Sequence, residues 1–267
     1  MKAMKLFQKK EKYEPIPGLV GAATDYNVYE EGKGERVAWF LMGMAASGAV
    51  LYIFYNSLIA SLVLGAICGV FFVPIRRNQV IAKRKRSLTA QFRGLLDTLS
   101  TSVGAGNNMY DAFHGASTDL AIQFTEDADI VHEAKLISNG LYNNIQLEKL
   151  LLNFADRSGL EDVRNFANVF ATCYQKGGNI NEVIKNTASI LGDKIEVGME
   201  VETMVSGQKS QLLILMVMPA LFVLVLRSMG GGLIDLSSPI GVISVTAALG
   251  IFVAAYFVGK KILDIKF

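Results

Sequence analysis

The chain has 267 residues, 51% of them apolar, a mean hydropathy of +0.35 and a formal net charge of +2. Two cysteines and two histidines exclude a disulfide framework and a cysteine- or histidine-rich metal site. What the near-balanced total hides is an uneven distribution: apolar residues gather in four runs, and the charges separate by sign along the chain.

Residues 1–36 form a polar, lysine-rich N-terminal segment with Lys2, Lys5, Lys9, Lys10, Lys12, Lys33 and Arg36. Two apolar runs follow back to back, 37–55 and 57–75, and two more close the chain, 211–229 and 239–259. Each has roughly 19 to 21 residues without Asp or Glu, enough at about 1.5 Å per residue to span a hydrocarbon layer of about 30 Å. The pattern predicts two transmembrane hairpins, 37–75 and 211–259, around one soluble domain, 76–210, with a short tail at 260–267. A run that starts at Val37, is this long and leads straight into another does not read as a secretory signal.

Lys and Arg resist translocation, so their positions predict orientation. They crowd the N-terminal segment, the exit of the second run (Arg76, Arg77, Lys83, Arg84, Lys85, Arg86, Arg93) and the tail (Lys260, Lys261, Lys266). The opposite side receives a turn near Asn56 and a loop over 230–238 with Asp235, edged by Arg227. Both termini and the domain are therefore expected in the cytoplasm of a multi-pass membrane protein.

Within the domain the apolar spacing is close to 3.6 residues, which predicts an all-α bundle of six helices. Leu88, Phe92, Leu95, Leu96, Leu99 and Val103 form the stripe of a helix over about 84–104 that continues from the second run. The stretch Gly104-Ala105-Gly106-Asn107-Asn108 breaks it. Helices are expected over about 109–117, 126–138, 146–157 and 161–175, with Asn139-Gly140 and Ser158-Gly159 ending the third and fourth. After Gly177-Gly178, Asn179 reads as an N-cap and Glu182, three residues on, completes a capping-box pattern. No strong breaker follows, so that last helix is expected to run into the third span, where Pro219 removes one backbone hydrogen bond and marks a kink.

From Gly94 to Gln208 there are sixteen acidic against seven basic residues, a surplus of nine negative charges, whereas 76–93 has seven basic residues and no acidic one. The basic stretch is expected along anionic lipid headgroups, and an acidic neighbour argues against nucleic acid. No chemistry is legible in this sequence: no phosphate-binding loop occurs, His114 and His132 have no partners at metal spacing, and Cys68 and Cys173 read as packing residues. Glu126, Asp127, Asp129 and Glu133 cluster without the pattern of a calcium loop and read as favourable charge at a helix start. The chain is thus expected to be no enzyme, with no catalytic residue, cofactor or metal. Mid-membrane carboxylates, usual in ion transporters, are also missing from the four runs.

Three patterns resemble the type II secretion F family, the membrane platform proteins of type II secretion systems, type IV pili and tight-adherence (Tad) pili. They are the glycine turn and short helix from Gly106 to Phe113, the segment from Gly140 through Leu147, Leu150, Leu151 and Ala155 to Arg157, and Gly177-Gly178-Asn179-Ile180-Asn181-Glu182. The resemblance covers about residues 90–225, and a single domain between two hairpins is similar to the Tad-type members.

It implies a platform without an active site, worked by a cytoplasmic hexameric secretion ATPase, partnered by a second platform protein, oligomeric, and lifting pilin subunits from the bilayer. It also implies that Gly106, Gly140, Gly177, Gly178, Asn179 and Glu182 set structural turns. The acidic surface then becomes the expected ATPase-facing side, with Asp97, Asp111, Glu161 and Asp162 as candidates. A membrane scaffold or receptor for another partner, and a subunit of an ATPase-driven transporter, are the alternatives.

Overall fold

In the computed structural model, the described residues are 15–29, 31–55, 57–228 and 239–263. The lysines at 2–12, Asn56, the 230–238 loop with Asp235, and Lys266 lie outside them. Eight helices follow in order: α1 Lys33–Tyr55, α2 Leu58–Gly104, α3 Met109–Gln123, α4 Asp129–Tyr142, α5 Leu147–Ser158, α6 Glu161–Gln175, α7 Ile180–Ser228 and α8 Pro239–Leu263. No strand occurs among the described residues, so the all-helical class expected from the spacing is observed.

Three helices, α1, α2 and α7, are long and apolar enough to cross a membrane. In α8 the apolar stretch within the described residues is shorter, Gly241–Tyr256. Both α2 and α7 are single unbroken helices, 47 and 49 residues long, each joining an apolar run to the amphipathic helix predicted beside it. Pro74 and Pro219 lie inside them.

The chain divides into two compact units. One contains 15–29 and 80–193; the other contains the described parts of 31–79 and 194–263. Residues 15–29, ahead of the first apolar run, belong with the helices of the first unit.

The core of the first unit is dry and aliphatic to aromatic. Of the predicted stripe of α2, Leu88, Phe92, Leu95, Leu96 and Leu99 are all at most 1% exposed, and Val103 is partly buried against them. Phe92 meets Phe154 of α5 and Phe166 of α6 edge to face, with ring centroids 6.0 and 5.6 Å apart, an arrangement that the ring quadrupole favours. Ile130, Ala134 and Ile137 of α4, Phe113 of α3 and Ile184 and Leu191 of α7 complete the cluster.

Several helix ends differ from the reading of the sequence. The third helical element of the chain, α3, continues past Ser117 to Gln123, because Leu120 extends the face of Phe113 and Ala116 and is fully buried. The next, α4, starts at Asp129 and runs through Asn139-Gly140 to Tyr142. Gly140 is therefore not a turn residue. A Cβ there would lie 2.5 Å from Leu150 of α5, so glycine serves the close approach of two helices.

In the second unit the same device recurs within the apolar helices. Gly65 lies against the backbone of Met44 and Gly48, and Gly69 against Phe40, with only about 3 Å of room for a Cβ at either. Small residues four apart let apolar helices meet at backbone distance, where dispersion and weak polar contacts replace a hydrophobic drive. Ser47 adds a hydroxyl donating to the carbonyl of Gly43 at 2.7 Å, and Tyr55 shares a 2.8 Å hydrogen bond with Thr246 of α8.

Candidate functional site

The densest polar construction in the first unit joins residues far apart in sequence. Glu133 lies one turn from Ile130 and Ile137 on the buried side of α4 and is 0% exposed; Arg157, three residues after Phe154 on α5, is 3% exposed. The guanidinium donates from Nη1 to Oε1 at 2.7 Å and from Nη2 to Oε2 at 2.6 Å. Such a two-pronged pair matches the planar geometry of both groups.

The remaining polar atoms are also satisfied. Tyr26 Oη donates to Glu133 Oε1 at 2.9 Å, Arg157 Nε donates to Asn153 Oδ1 at 2.8 Å, and Nη1 also donates to the carbonyl of Thr24 at 3.0 Å. A buried pair is tolerable only with this degree of completion. Burial, and then the charge of Glu133, push the Tyr26 phenol far above its ordinary value.

Residues 15–29 form a strap that completes this network. The backbone N–H of Tyr26 donates to the carbonyl of Arg157 at 2.9 Å. Asn27 Nδ2 donates to the carbonyls of Asp156 and Arg157, both at 3.1 Å, and its Oδ1 accepts from Lys85 Nζ at 2.7 Å. These bonds cap the C-terminal end of α5, where carbonyls lack helical partners. Gly159 ends that helix at φ +58, as its position after Ser158 predicts, and a side chain there would collide with Asn27. Arg84 of α2 lies over the Tyr26 ring at 4.8 Å and makes two hydrogen bonds to Asp129, at 3.0 and 2.5 Å. The bond to Asp129 holds its guanidinium above the ordinary value.

The four acids of 126–133 thus do not act alike. Asp129 is paired and Glu133 is buried, so only part of the cluster serves as solvated charge at a helix start. The signal was in the spacing: Glu133 falls on the same face as Ile130 and Ile137, and an acid there requires a cation. The strap left no such signal, since 15–29 has no periodicity and its partners on other elements are 58 to 136 residues away.

The glycine turns differ among themselves. Gly106 and Gly177 have φ of +90 and +69, the left-handed region that glycine enters at little cost. Gly178 lies against Cys173, whose sulfur would be 2.5 Å from a Cβ. Asn179 Oδ1 accepts from the Glu182 N–H at 3.3 Å; among the described residues the return bond from the Glu182 carboxylate is not made, leaving half of the expected capping box. An unpredicted cap stands before α3, where Asn108 Oδ1 accepts from the Asp111 N–H at 2.9 Å and Nδ2 donates to the Asp111 carboxylate at 2.7 Å.

The four candidate docking acids lie on three helices. Asp97 of α2 is exposed, is 3.8 Å from Arg93, and borders a cleft of about 340 Å3 with Lys185 and Ser189 of α7. Asp111 is exposed beside an aromatic group in which Tyr110 stacks on His114 and leans on Tyr142, itself 75% exposed. Glu161 and Asp162 occupy the first turn of α6, where their charge favours the helix dipole. An acid next to solvent-facing tyrosines has the composition of a protein-binding surface. Among the described residues no cluster of three or more metal-ligating side chains is found. Comparison of the chain with protein-family models, curated proteins and solved structures finds no match in any of the three.

Proposed function

We propose that this chain is a non-enzymatic platform protein of the inner membrane that couples a cytoplasmic hexameric secretion ATPase to the extraction and assembly of pilin subunits, as in Tad-type or type IV pili and type II secretion. In this reading α1, α2, α7 and α8 make four spans, both termini and the helical unit are cytoplasmic, and the basic residues after the second run lie on lipid headgroups. It works as an oligomer beside a second platform protein of the same kind and neither binds nucleic acid nor carries a cofactor.

The observation that carries the proposal is the pair of unbroken helices, α2 and α7, each with an apolar stretch at one end and core residues of the water-soluble unit at the other. A helix that contributes core residues at one end and an apolar stretch at the other gives such coupling a continuous backbone to act through. The ordered turns at Gly106 and Gly177 and the acidic, tyrosine-bearing surface at Asp111 agree with a part that is held firmly and gripped from outside.

The test is a pull-down of the full chain in mild detergent from cells of its source, with bound partners identified by mass spectrometry. A variant with Asp111→Lys, Glu161→Lys and Asp162→Lys runs beside it. Recovery of a secretion ATPase and a second platform protein with the wild type, and loss of the ATPase in the variant, supports the proposal. Retention of neither partner under conditions that preserve helix content refutes it and favours a scaffold for another cytoplasmic protein.

A further inference from the structure

In the second unit a cavity of about 480 Å3 is bordered by three charged side chains, Glu31, Arg36 and Arg77. Its size lies within the range of about 300–1,000 Å3 common for small-ligand clefts. Glu31 precedes α1, Arg36 is in its first turns, and Arg77 follows the apolar run of α2. The opposite wall is apolar: Val37 and Phe40 of α1 with Val70 and Val73 of α2. Val73 is buried, whereas Val37 and Val70 are more than half exposed, so this wall continues onto the outer face of two apolar helices.

One oxygen of the Glu31 carboxylate is anomalous. Among the described residues, Glu31 Oε2 is shut off from solvent and receives no hydrogen bond, although buried acceptors almost always find a donor. Two arginines border the same space, yet no ion pair joins either of them to a carboxylate among the described residues. Charges of both signs therefore face one cavity without neutralising each other. A simple anion would satisfy the arginines and be repelled by Glu31; a simple cation would do the reverse.

We infer that this cavity binds the headgroup of a phosphatidylethanolamine-type phospholipid, its phosphate on Arg36 and Arg77, its primary ammonium on Glu31 and the start of an acyl chain along Val37, Phe40, Val70 and Val73. The guanidinium fork suits phosphate, and a primary ammonium has three N–H groups that can donate to the Glu31 carboxylate. A choline headgroup has the same phosphate but no N–H. The inference rests on the apolar helices meeting lipid and is independent of the docking role proposed above.

The experiment reconstitutes the full chain into nanodiscs containing equal parts of ethanolamine, choline and glycerol phospholipids, extracts it gently, and counts retained lipids by native mass spectrometry. The ethanolamine lipid should exceed the choline lipid by about tenfold, the discrimination expected of a charge-assisted hydrogen bond. Glu31→Gln should bring that ratio near one and raise retention of the glycerol lipid; Arg77→Ala should lower retention of both.

Soluble phosphoethanolamine and inorganic phosphate, at concentrations matching the lipid, should displace nothing. Displacement by either would assign the site to a free phosphate compound and overturn the lipid assignment. Equal retention of ethanolamine and choline lipids by the wild type would overturn it without reference to any variant, and so would an unchanged ratio in Glu31→Gln of native helix content.

Discussion

Leu96 and Leu213 are the same residue, each inside one of the two longest helices, yet Leu96 is 0% exposed and Leu213 is 64% exposed. The contrast extends to their surroundings. Around Leu96, apolar side chains are sequestered, and the buried ion pair of Glu133 with Arg157 in the same unit has every polar atom engaged. Around Leu213, large apolar side chains such as Ile214, Leu215, Met218 and Phe222 face outward. Water drives the first arrangement, because about 25 cal/mol is gained per Å2 of apolar surface removed from it. The second is stable only where the surrounding medium is itself apolar, and there helices adhere through close contacts such as that of Gly65 with Gly48.

The sharpest way to break the water-facing half is to orphan its buried charge. Glu133→Ala leaves Arg157 uncompensated and should cost about 3–5 kcal/mol, read as a loss of the cooperative unfolding transition of the detergent-solubilised chain. Replacing Glu133 and Arg157 together with apolar residues should restore part of that stability, since no charge is then stranded.

A matched pair of truncations compares the two solvents directly. Leu96→Ala should destabilise by about 2–5 kcal/mol as a core cavity, whereas Leu213→Ala should stay within about 0.5 kcal/mol, as for an outward-facing position. Chemical denaturation of both variants in the same detergent checks it. A comparable cost at both sites would show that Leu213 packs against protein.

Gly177→Val forces a branched side chain into φ +69 and should cost about 1–3 kcal/mol. Because that turn sets the start of α7, the proposed platform role predicts that the variant also loses filament assembly in cells. Assembly at the wild-type level would remove the role assigned to the turn.

Tyr26→Phe should cost about 1–2 kcal/mol, the range for a bond to a charged acceptor, and it changes the pH dependence. The folded phenol holds its proton well above the ordinary tyrosine value of 10.0, so above that pH the unfolded chain releases a proton that the folded chain keeps. Stability attributable to Tyr26 is complete below that value and falls by about 1.4 kcal/mol per pH unit above it. Denaturation midpoints between pH 9 and 11 should therefore fall more steeply for the wild type than for Tyr26→Phe.

Much of the fold was legible because it rests on local spacing. The stripe from Leu88 to Leu99, the continuity of α2 and α7, and the helix end at Gly159 all follow from periodicity and turn chemistry within a few residues. What escaped depends on partners distant in sequence. Gly140 looks like a stop, but the residue that explains it is Leu150 on the next helix. Glu133 looks like surface charge until Arg157 and Tyr26 are brought beside it. Residues 15–29 have no regular structure to predict, and their place is fixed by hydrogen bonds to the end of α5. Of the docking candidates, the sequence offered only a surplus of acid; the exposed tyrosines beside Asp111 are a product of the packing of α3 on α4.

The most direct test of the two-solvent account uses the two native cysteines. Cys68, on the apolar part of α2, is exposed, and Cys173, on α6, is partly exposed. Membranes opened to reagent on both sides are treated with a charged maleimide or an uncharged, lipid-soluble one, and modification at each cysteine is read by peptide mass spectrometry. Cys173 should react with the charged reagent while Cys68 reacts only with the lipid-soluble one; modification of Cys68 by the charged maleimide at the rate of Cys173 would place that face in water and contradict the account.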